Sequence, residues 1–482
     1  MTDTSAAGLK RGVLGTGDIL FVVVSAAAPL MVMVGVAPIA LLVGGVGAPT
    51  TYLVAGIILT IFAVGFTTMS RYIANAGGFY AYIAHGLGKG AGITAALVAL
   101  FSYNVIEIGL FGFLGLSAHD TFLDLAGIEL PWAAWALIGV AVVWYLGFRS
   151  IDFGAKVLAV LLTAETALLL MLAFAVLVKG GAHGIGFDSF RPAHFLTPAN
   201  GSVLVIAFAA FMGFESTVIY RSEAKDPKRT IPRATYLAVA LLAVVYAFIV
   251  WSVTQAYGTA GLASAVAKDP VGLFFTTAQT YLGDWAVALM HVLIVTSTIA
   301  SLLAFHNAIT RYTRSIADEG MLPRLLGSVH PRTRSPYVAG IVQTAIAAAV
   351  VTGFAVADAD PFKQLLIWVN SPGILGILLL QVAVAVSVPV YFRRTANDEG
   401  VWRTLIAPLV AAVGMIAALY LTVTHLELLT GASSTVNQTL VLSVVAVCLA
   451  GAAWALWLRR NRPQAYAAVA AHAVEATDAA AR

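Results

Sequence analysis

Along the chain, apolar runs of roughly 20 residues, enough to cross the hydrocarbon core of a bilayer as a helix, alternate with short polar connections. Twelve such runs stand out, at approximately 16–45, 50–70, 91–118, 131–148, 155–178, 200–220, 234–257, 285–316, 336–356, 364–391, 404–425 and 437–458. The pattern predicts an all-α integral membrane protein with 12 transmembrane helices. Four runs are irregular. The first carries Ala28-Pro29, then Gly35 and Pro38. The sixth carries Gly213. The eighth continues as an amphiphilic end into Arg311 and Arg314, and the tenth is interrupted by Asn370-Ser-Pro-Gly373.

Composition agrees. Of 482 residues, 60% are hydrophobic and 10% charged, against about 25% charged in soluble domains. With the N-terminus on the cytoplasmic side, all but four of the 27 Lys and Arg fall in cytoplasmic segments; only Lys179, Arg191, Lys268 and Lys363 lie outside. The acidic residues Asp120, Asp124, Asp358 and Asp360 fall on the outer side. Positive charge marks the cytoplasmic face, so twelve spans with both termini cytoplasmic are expected, in a multi-pass protein of the cell membrane. The basic residues spread over many loops rather than one face, so no nucleic-acid partner is expected. Cys448 is the lone cysteine. It cannot form a disulfide within the chain and sits in an apolar run, which suits a buried, inert thiol. Lys10-Arg11 precedes a run too long for a cleavable signal peptide.

The sixth run poses the sharpest question. Within Val203 to Tyr220 it holds Phe208-Ala-Ala-Phe-Met-Gly-Phe-Glu215, followed by the basic stretch Arg221 to Arg233. A carboxylate at membrane depth is costly and calls for a partner or a water-lined cavity, while the nearby Gly213 weakens the helix. No sequence repeat is visible. Yet runs one and six are both interrupted, and they lie five apart. An odd offset places them in opposite orientations, and paired interrupted helices point to the binding site of an inverted-repeat transporter.

At these residues the chain resembles the amino acid–polyamine–organocation transporter family. The resemblance rests on Gly213-Phe-Glu215 followed by Glu223-Ala-Lys-Asp-Pro-Lys-Arg-Thr-Ile-Pro-Arg233, on Asn75-Ala-Gly-Gly-Phe-Tyr-Ala-Tyr82 with Gly86-Leu-Gly88, and on Arg311 and Arg314 followed by Asp318-Glu-Gly-Met-Leu-Pro323. It implies a leucine-transporter-like 5+5 inverted repeat plus two extra helices. The expected layout is a cytoplasmic tail at 1–15, a ten-helix core at 16–391 with repeats at 16–178 and 200–391, helices 11 and 12 at 404–458, and a cytoplasmic tail at 459–482. It also implies alternating access around a site between helices 1 and 6, flanked by helices 3, 8 and 10. The chain departs from many members in having Ala-Ala-Ala-Pro29 where they carry a Gly-rich element.

An amino acid brings a carboxylate and an ammonium into that site, and burying either charge unpaired is expensive. Helix ends answer both, with free N–H groups at an N-terminus and free carbonyls at a C-terminus. Pro29 suits a first helical position. N–H groups at Leu30, Met31 and Val32 can then face a carboxylate. Carbonyls near Val24 and Ser25, with those of Phe208, Ala209 and Phe211, can face an ammonium. The expected substrate-binding set is Ser25, Ala26, Ala28, Leu30, Met31, Glu107, Phe208, Ala209, Phe211 and Gly213. Gate candidates are Phe211, Phe214 and Trp368. Coupling candidates are Glu165, Glu215, Thr298 and Ser301, with His306 and His291 as further proton carriers. Glu215 matches the acid that the family associates with proton sensing or with tying the broken helices. Glu165 falls near a place where some proton-coupled relatives carry a Lys. Glu107 faces the site or makes a polar contact between helices. Salt bridges to Asp18 or Glu223 are candidate gates.

The expected function is a secondary transporter of amino acids, coupled to protons with sodium as the other candidate ion. A polyamine or cationic amine carrier and an exchanger stand as alternatives, and a sensor on the same fold as a third class. No HExxH motif, Ser-His-Asp set or paired membrane Asp points to an enzyme, and no Walker A pattern occurs. No cofactor and no bound metal is expected; the partners are the substrate, the coupling ion and the lipid bilayer.

Overall fold

The computed structural model describes residues 12–470 except 74–76 and 150, and their side chains except at 151–158, 198, 202 and 222. Lys10, Arg11, Asn75 and Arg482 lie outside the described residues, as do residues 1–11 and 471–482 of the expected tails and the side chain of Lys156. Twelve described helices are long and apolar enough to cross a membrane: α1 (Thr16–Gly35), α2 (Ala37–Tyr72), α3 (Lys89–Ala126), α4 (Trp132–Arg149), α5 (Ala159–Val178), α6 (Ala199–Arg221), α7 (Pro227–Lys268), α8 (Asp284–Asp318), α9 (Tyr337–Val356), α10 (Pro361–Arg394), α11 (Trp402–Thr424) and α12 (Ser434–Asn461). They match the twelve apolar runs. The burial pattern is that of a membrane bundle. Large apolar side chains such as Val413, Tyr420, Leu442 and Leu449 on α11 and α12 point outward, where a soluble protein would place polar groups. Tyr103, Phe111 and Phe113 of α3 are buried in the centre.

Two helices are broken at mid-course. In α1 the first half ends at Ala27 and the second begins at Pro29, with Ala28 between them at φ 44° and ψ 75°. The proline ring disfavours helical backbone at the residue before it, so the chain turns at Ala28 although alanine in left-handed backbone costs roughly 1–2 kcal/mol. In α6 the α-helix stops at Ala210, and Gly213 takes φ 108°. A 3₁₀ helix then runs from Phe214 to Glu223, ten residues, where such runs seldom exceed about four.

The breaks are in contact. A Cβ at Gly213 would lie 2.7 Å from the Cβ of Ala26 and 3.5 Å from the carbonyl oxygen of Val23. Glycine is required here twice over, for its backbone angle and for the closeness of α1.

The tenth run differs from the expected interruption. Pro372 and Gly373 sit inside a continuous helix from Val369 to Arg394, and the irregular turns come earlier, as a π-helix over Pro361–Trp368. Pro372 has no N–H to give, and the carbonyl it would otherwise engage belongs to Trp368, where the π winding ends. The small residues instead bring α10 onto α3. A Cβ at Gly373 would lie 2.7 Å from Ile106 Cγ1, and one at Gly109 2.4 Å from Asn370 Oδ1. Small residues drive close helix packing in membranes.

The two breaks respond oppositely to exchange of alanine and glycine. Ala28→Gly relieves left-handed strain and should raise stability by about 1 kcal/mol. Gly213→Ala should lower it by roughly 1–3 kcal/mol. Melting temperatures of the purified variants in detergent check both signs; a Gly213→Ala protein that melts with the wild type would contradict the contact.

Candidate functional site

The α1 break leaves backbone groups uncovered. Ala28 N–H donates to Val24 and Ser25 carbonyls at 3.1 Å each, and Val32 N–H donates to the Ala28 carbonyl at 2.9 Å. The Val32 donor is thus committed. Leu30 and Met31 occupy the first turn after Pro29, where N–H groups have no carbonyl within the helix, and they find no acceptor among the described residues. On the carbonyl side, Ala26 accepts from Ser301 Oγ of α8 at 2.7 Å, and Ala27 accepts from Tyr246 Oη of α7 at 3.3 Å. Ser301 therefore fastens the break to α8. Thr298 spends its hydroxyl on the carbonyl of Ile294 in its own helix, at 2.7 Å.

At the α6 break, Glu215 closes the turn. Its Oε2 accepts the N–H of Gly213 at 3.0 Å and its Oε1 accepts Tyr103 Oη of α3 at 3.1 Å. The carboxylate thereby caps the turn and ties it to α3, both from a buried position. The carbonyls of Phe208 and Ala209 each accept at 3.2 Å, from the N–H groups of Phe211 and Met212.

Beside the breaks lies a cavity of about 90 Å³ lined from α1 (Ala26, Ala27, Met31, Val32, Gly35), Val36 and Ile39 after it, α3 (Ile106, Leu110), α6 (Ile206, Ala209, Met212), α8 (Phe305), α10 (Leu366, Ile367, Asn370, Ile374) and Leu429. Of the expected binding residues, Ala26, Met31 and Ala209 line it. Ser25, Ala28, Leu30, Phe208, Phe211 and Gly213 stand behind or beside it as parts of the breaks. Phe305 and Asn370 were not anticipated. The signal for the α1 wall was present in the sequence, as a helical stripe climbing from Met31 through Gly35 to Ile39.

The expected gate aromatics are placed elsewhere. Phe211 packs edge-on against Tyr246 with centroids 5.9 Å apart, and Phe214 against Phe62 at 6.1 Å. Trp368 donates from Nε1 to the Thr430 carbonyl at 3.1 Å. Phe305 is the aromatic that meets the cavity.

Three further acids divide by surroundings. Glu107 turns from the cavity: its Oε2 accepts from Gln343 Nε2 of α9, and its Oε1 lies 3.5 Å from His306 Nδ1. The imidazole fills a slot between Gly147 and Gly340, where a Cβ would come within 2.6 Å and 3.3 Å of the ring. Glu165 is buried in α5 beside Ser297 and near Tyr246. Its Oε2 has no hydrogen-bond partner among the described residues, and neither do Ser297 Oγ and Ser25 Oγ. Asp18 accepts from Gly15 N–H at 2.8 Å and so caps its own helix. His291 sits 3.4 Å from Asp124, at the far end of α3.

The terminal side of the bundle is closed below the breaks. Arg311 of α8 meets Glu223 through two contacts, at 2.8 Å and 3.4 Å, with both residues buried. Its guanidinium lies 5.4 Å from the ring centre of Tyr220. The Glu223 carbonyl accepts from the N–H groups of Val13 and Leu14 at 2.9 Å and 3.0 Å, and Lys225 N–H returns to the Leu14 carbonyl at 2.9 Å. Arg221 reaches the Ser70 carbonyl at 2.6 Å. Four segments meet around one ion pair.

Removing one partner of that pair leaves a buried charge alone, which costs roughly 3–5 kcal/mol. Glu223→Ala should lower the melting temperature and speed hydrogen exchange at the amides of Val13, Leu14 and Lys225. Unchanged protection at all three would show that the seal does not depend on the pair.

Comparison with known proteins adds a family to this geometry. The amino acid permease family matches residues 18–467. An uncharacterized transporter of Mycobacterium tuberculosis is 29% identical over 281 residues, 58% of this chain and 58% of the relative, so the matched stretch spans less than two thirds of that protein. A branched-chain amino acid permease of Lactococcus lactis is 23% identical over 404 residues, covering 78% of this chain and 81% of the relative. An L-methionine/branched-chain amino acid exporter of Escherichia coli is 29% identical over 233 residues, 44% of this chain and 50% of the relative.

Proposed function

The chain belongs to the amino acid permease family, and on that premise we propose that it is a secondary transporter for neutral amino acids with aliphatic side chains. The composition of the cavity wall carries this reading. Among its described lining residues the side chains are apolar but for Asn370, and none is charged. A second ammonium, as in a diamine or lysine, would lie there unpaired, at a cost of several kcal/mol or more. Glu107, the acid that would have favoured a cationic amine, is directed to Gln343 and His306. The relatives named for branched-chain amino acids and methionine support the same choice.

The substrate carboxylate meets the N–H groups of Leu30 and Met31, with the dipole of the second half of α1 behind them. Transport proceeds by alternating access in a ten-helix core of two inverted repeats, 16–178 and 200–391. The breaks in α1 and α6, five spans apart, are the observation behind that division. In the arrangement described, the terminal side is sealed by Arg311 and Glu223 while the cavity extends past Val36 and Ile39. Both termini are assigned to the cytoplasm of a cell-membrane protein from the distribution of Lys and Arg, so release inward requires that ion pair to part.

The transporter is a proton symporter, with Glu165 as the proton carrier. A carboxyl group buried beside Ser297 with no cationic partner is tolerated as the neutral acid or with a cation bound. Sodium is the alternative occupant, since hard cations take oxygen ligands. Glu215 serves as the tie of the α6 break.

Uptake into proteoliposomes tests the reading. Leucine, isoleucine, valine or methionine should accumulate when the outside is acidified, and lysine and putrescine should not compete. Preferential uptake of a diamine would overturn the substrate assignment. Glu165→Gln should bind substrate yet lose at least about tenfold of the gradient-driven rate, about 1.4 kcal/mol; a variant still driven by the proton gradient, or wild type driven by sodium alone, would remove Glu165 from proton coupling.

A further inference from the structure

Behind the cavity wall lies a buried polar cluster that the transport cycle described above does not use. Ile106 of α3 and Phe305 of α8 line the cavity. The next residues in the chain, Glu107 and His306, turn away from it and meet each other, with Glu107 Oε1 3.5 Å from His306 Nδ1. Glu107 Oε2 accepts from Gln343 Nε2 of α9. Both members of the pair are buried. A carboxyl group with donors at both oxygens is suited to its ionised, acceptor-only form, and an anion at membrane depth needs a cation beside it. Glu107 has no Lys or Arg partner among the described residues. The imidazole can supply the charge by taking up a proton.

The ring is open to that proton on one side. It sits in a slot between Gly147 of α4 and Gly340 of α9, where a Cβ would come within 3.1 Å and 3.3 Å of Nε2. A pocket of about 10 Å³ adjoins it, lined by His306 together with Thr310, Ser335 and Tyr337. That is the space of about one water molecule. The Thr310 and Ser335 hydroxyls donate to the carbonyls of Asn307 and Phe148, at 3.1 Å each, and so keep lone pairs for an incoming donor. Ser335 belongs to the connection between α8 and α9, on the terminal side of the bundle.

Few other charges face the ring. α3 presents Glu107 and α9 presents Gln343 and Tyr337, while α4 contributes Trp144, Gly147 and Phe148 to the pocket. His330 stands one aromatic layer further out, with its ring 5.0 Å from that of Phe148 and 5.8 Å from that of Tyr337. On α8 itself Arg311 is taken by Glu223. α5 brings Glu165 to Ser297, more than two turns earlier, and α1 meets α8 through the Ala26 carbonyl at Ser301.

We propose that His306 is a second proton-binding site, filled from the terminal side, whose charge holds the cavity wall in place through Phe305 and Ile106. A proton from water in the pocket binds Nε2, and Nδ1–H is directed at Glu107 Oε1. The imidazolium and carboxylate then draw α8 and α3 together directly behind Phe305 and Ile106. Phe305 in turn packs on Tyr103 with ring centres 6.2 Å apart, and Tyr103 holds Glu215 at the α6 break. Loss of the proton leaves Glu107 as an unpaired buried anion, and the wall loosens. Substrate affinity therefore falls as the terminal side becomes alkaline, independently of the proton assigned to Glu165.

Two measurements on the purified full-length protein test this. Nitrogen NMR of protein carrying isotope-labelled histidine, recorded between about pH 5 and 8, where imidazole changes charge, follows the ring directly, and the His306→Gln spectrum identifies its signals. His306 should pass from imidazolium to neutral imidazole over that range. A ring that keeps one form throughout would overturn the proposal. Calorimetry of leucine, which rests on the reading of the chain as an aliphatic amino acid carrier, should show affinity falling at least about fivefold over the same range. The fall should persist in Glu165→Gln and vanish in His306→Gln and in Glu107→Gln, two variants that each keep a polar amide, so that either decides if the other is not monodisperse. A fall that Glu165→Gln abolishes, or that a pair variant retains, would overturn the proposal and leave the carrier standing. A wild type that binds none of leucine, isoleucine, valine and methionine would overturn the carrier reading, and the NMR titration would still decide the proton site.

Discussion

The structure depends on the contact between two helices that cannot complete themselves. Backbone N–H and C=O groups inside a bilayer must find partners within the protein, because lipid supplies none. α1 and α6 each interrupt that ladder, and they do so side by side, with Gly213 against Ala26. Each break is then repaired from a neighbour. Ser301 and Tyr246 reach the carbonyls of α1, while Glu215 closes the turn of α6 and draws in Tyr103. What is left unrepaired is the pair of N–H groups of Leu30 and Met31, and Met31 lines the cavity. The site is in this sense the remainder of a nearly complete accounting of backbone hydrogen bonds.

The buried charges fall into distinct settings. Glu223 with Arg311 is a tightly paired ion pair at the terminal side. Glu107 is held by an amide and an imidazole between α3, α8 and α9. Glu215 is satisfied by a backbone N–H and a phenol. Glu165 alone keeps an oxygen without a partner among the described residues. Acids with similar surroundings in sequence thus differ in what they can do. A carboxylate whose lone pairs are occupied is a fastener, and one with an empty place can take up a proton or a cation.

Much of the scaffold was legible in the sequence because its signals are local or are averaged over many residues. A run of twenty apolar residues survives errors at its ends. Pro29 disfavours helical backbone at the residue before it, and Gly213 beside Glu215 marks a weak point in the same way. Asn370-Ser-Pro-Gly373 misled for the converse reason. Proline and glycine suggested a break, yet tertiary packing against Ile106 and Ser102 keeps the helix continuous and moves the irregularity to Pro361–Trp368. The direction in which Glu107 points was equally hidden, since it depends on Gln343, more than 200 residues away. The pairing of Arg311 with Glu223, the seating of Asn370 on Gly109 and the turning of Phe211 toward Tyr246 belong to the same class, contacts that only the assembled bundle brings together.

The 3₁₀ winding of Phe214–Glu223 has a mechanical consequence. A 3₁₀ helix rises about 2.0 Å per residue and an α-helix about 1.5 Å. Ten residues so wound therefore hold about 5 Å of length that α winding would take back, close to one α-helical turn. The two ends of that stretch are Gly213, lodged against α1, and Glu223, clasped by Arg311. Rewinding that stretch as an α-helix would draw Glu223, and with it the partner of Arg311, toward the break by about the height of a turn.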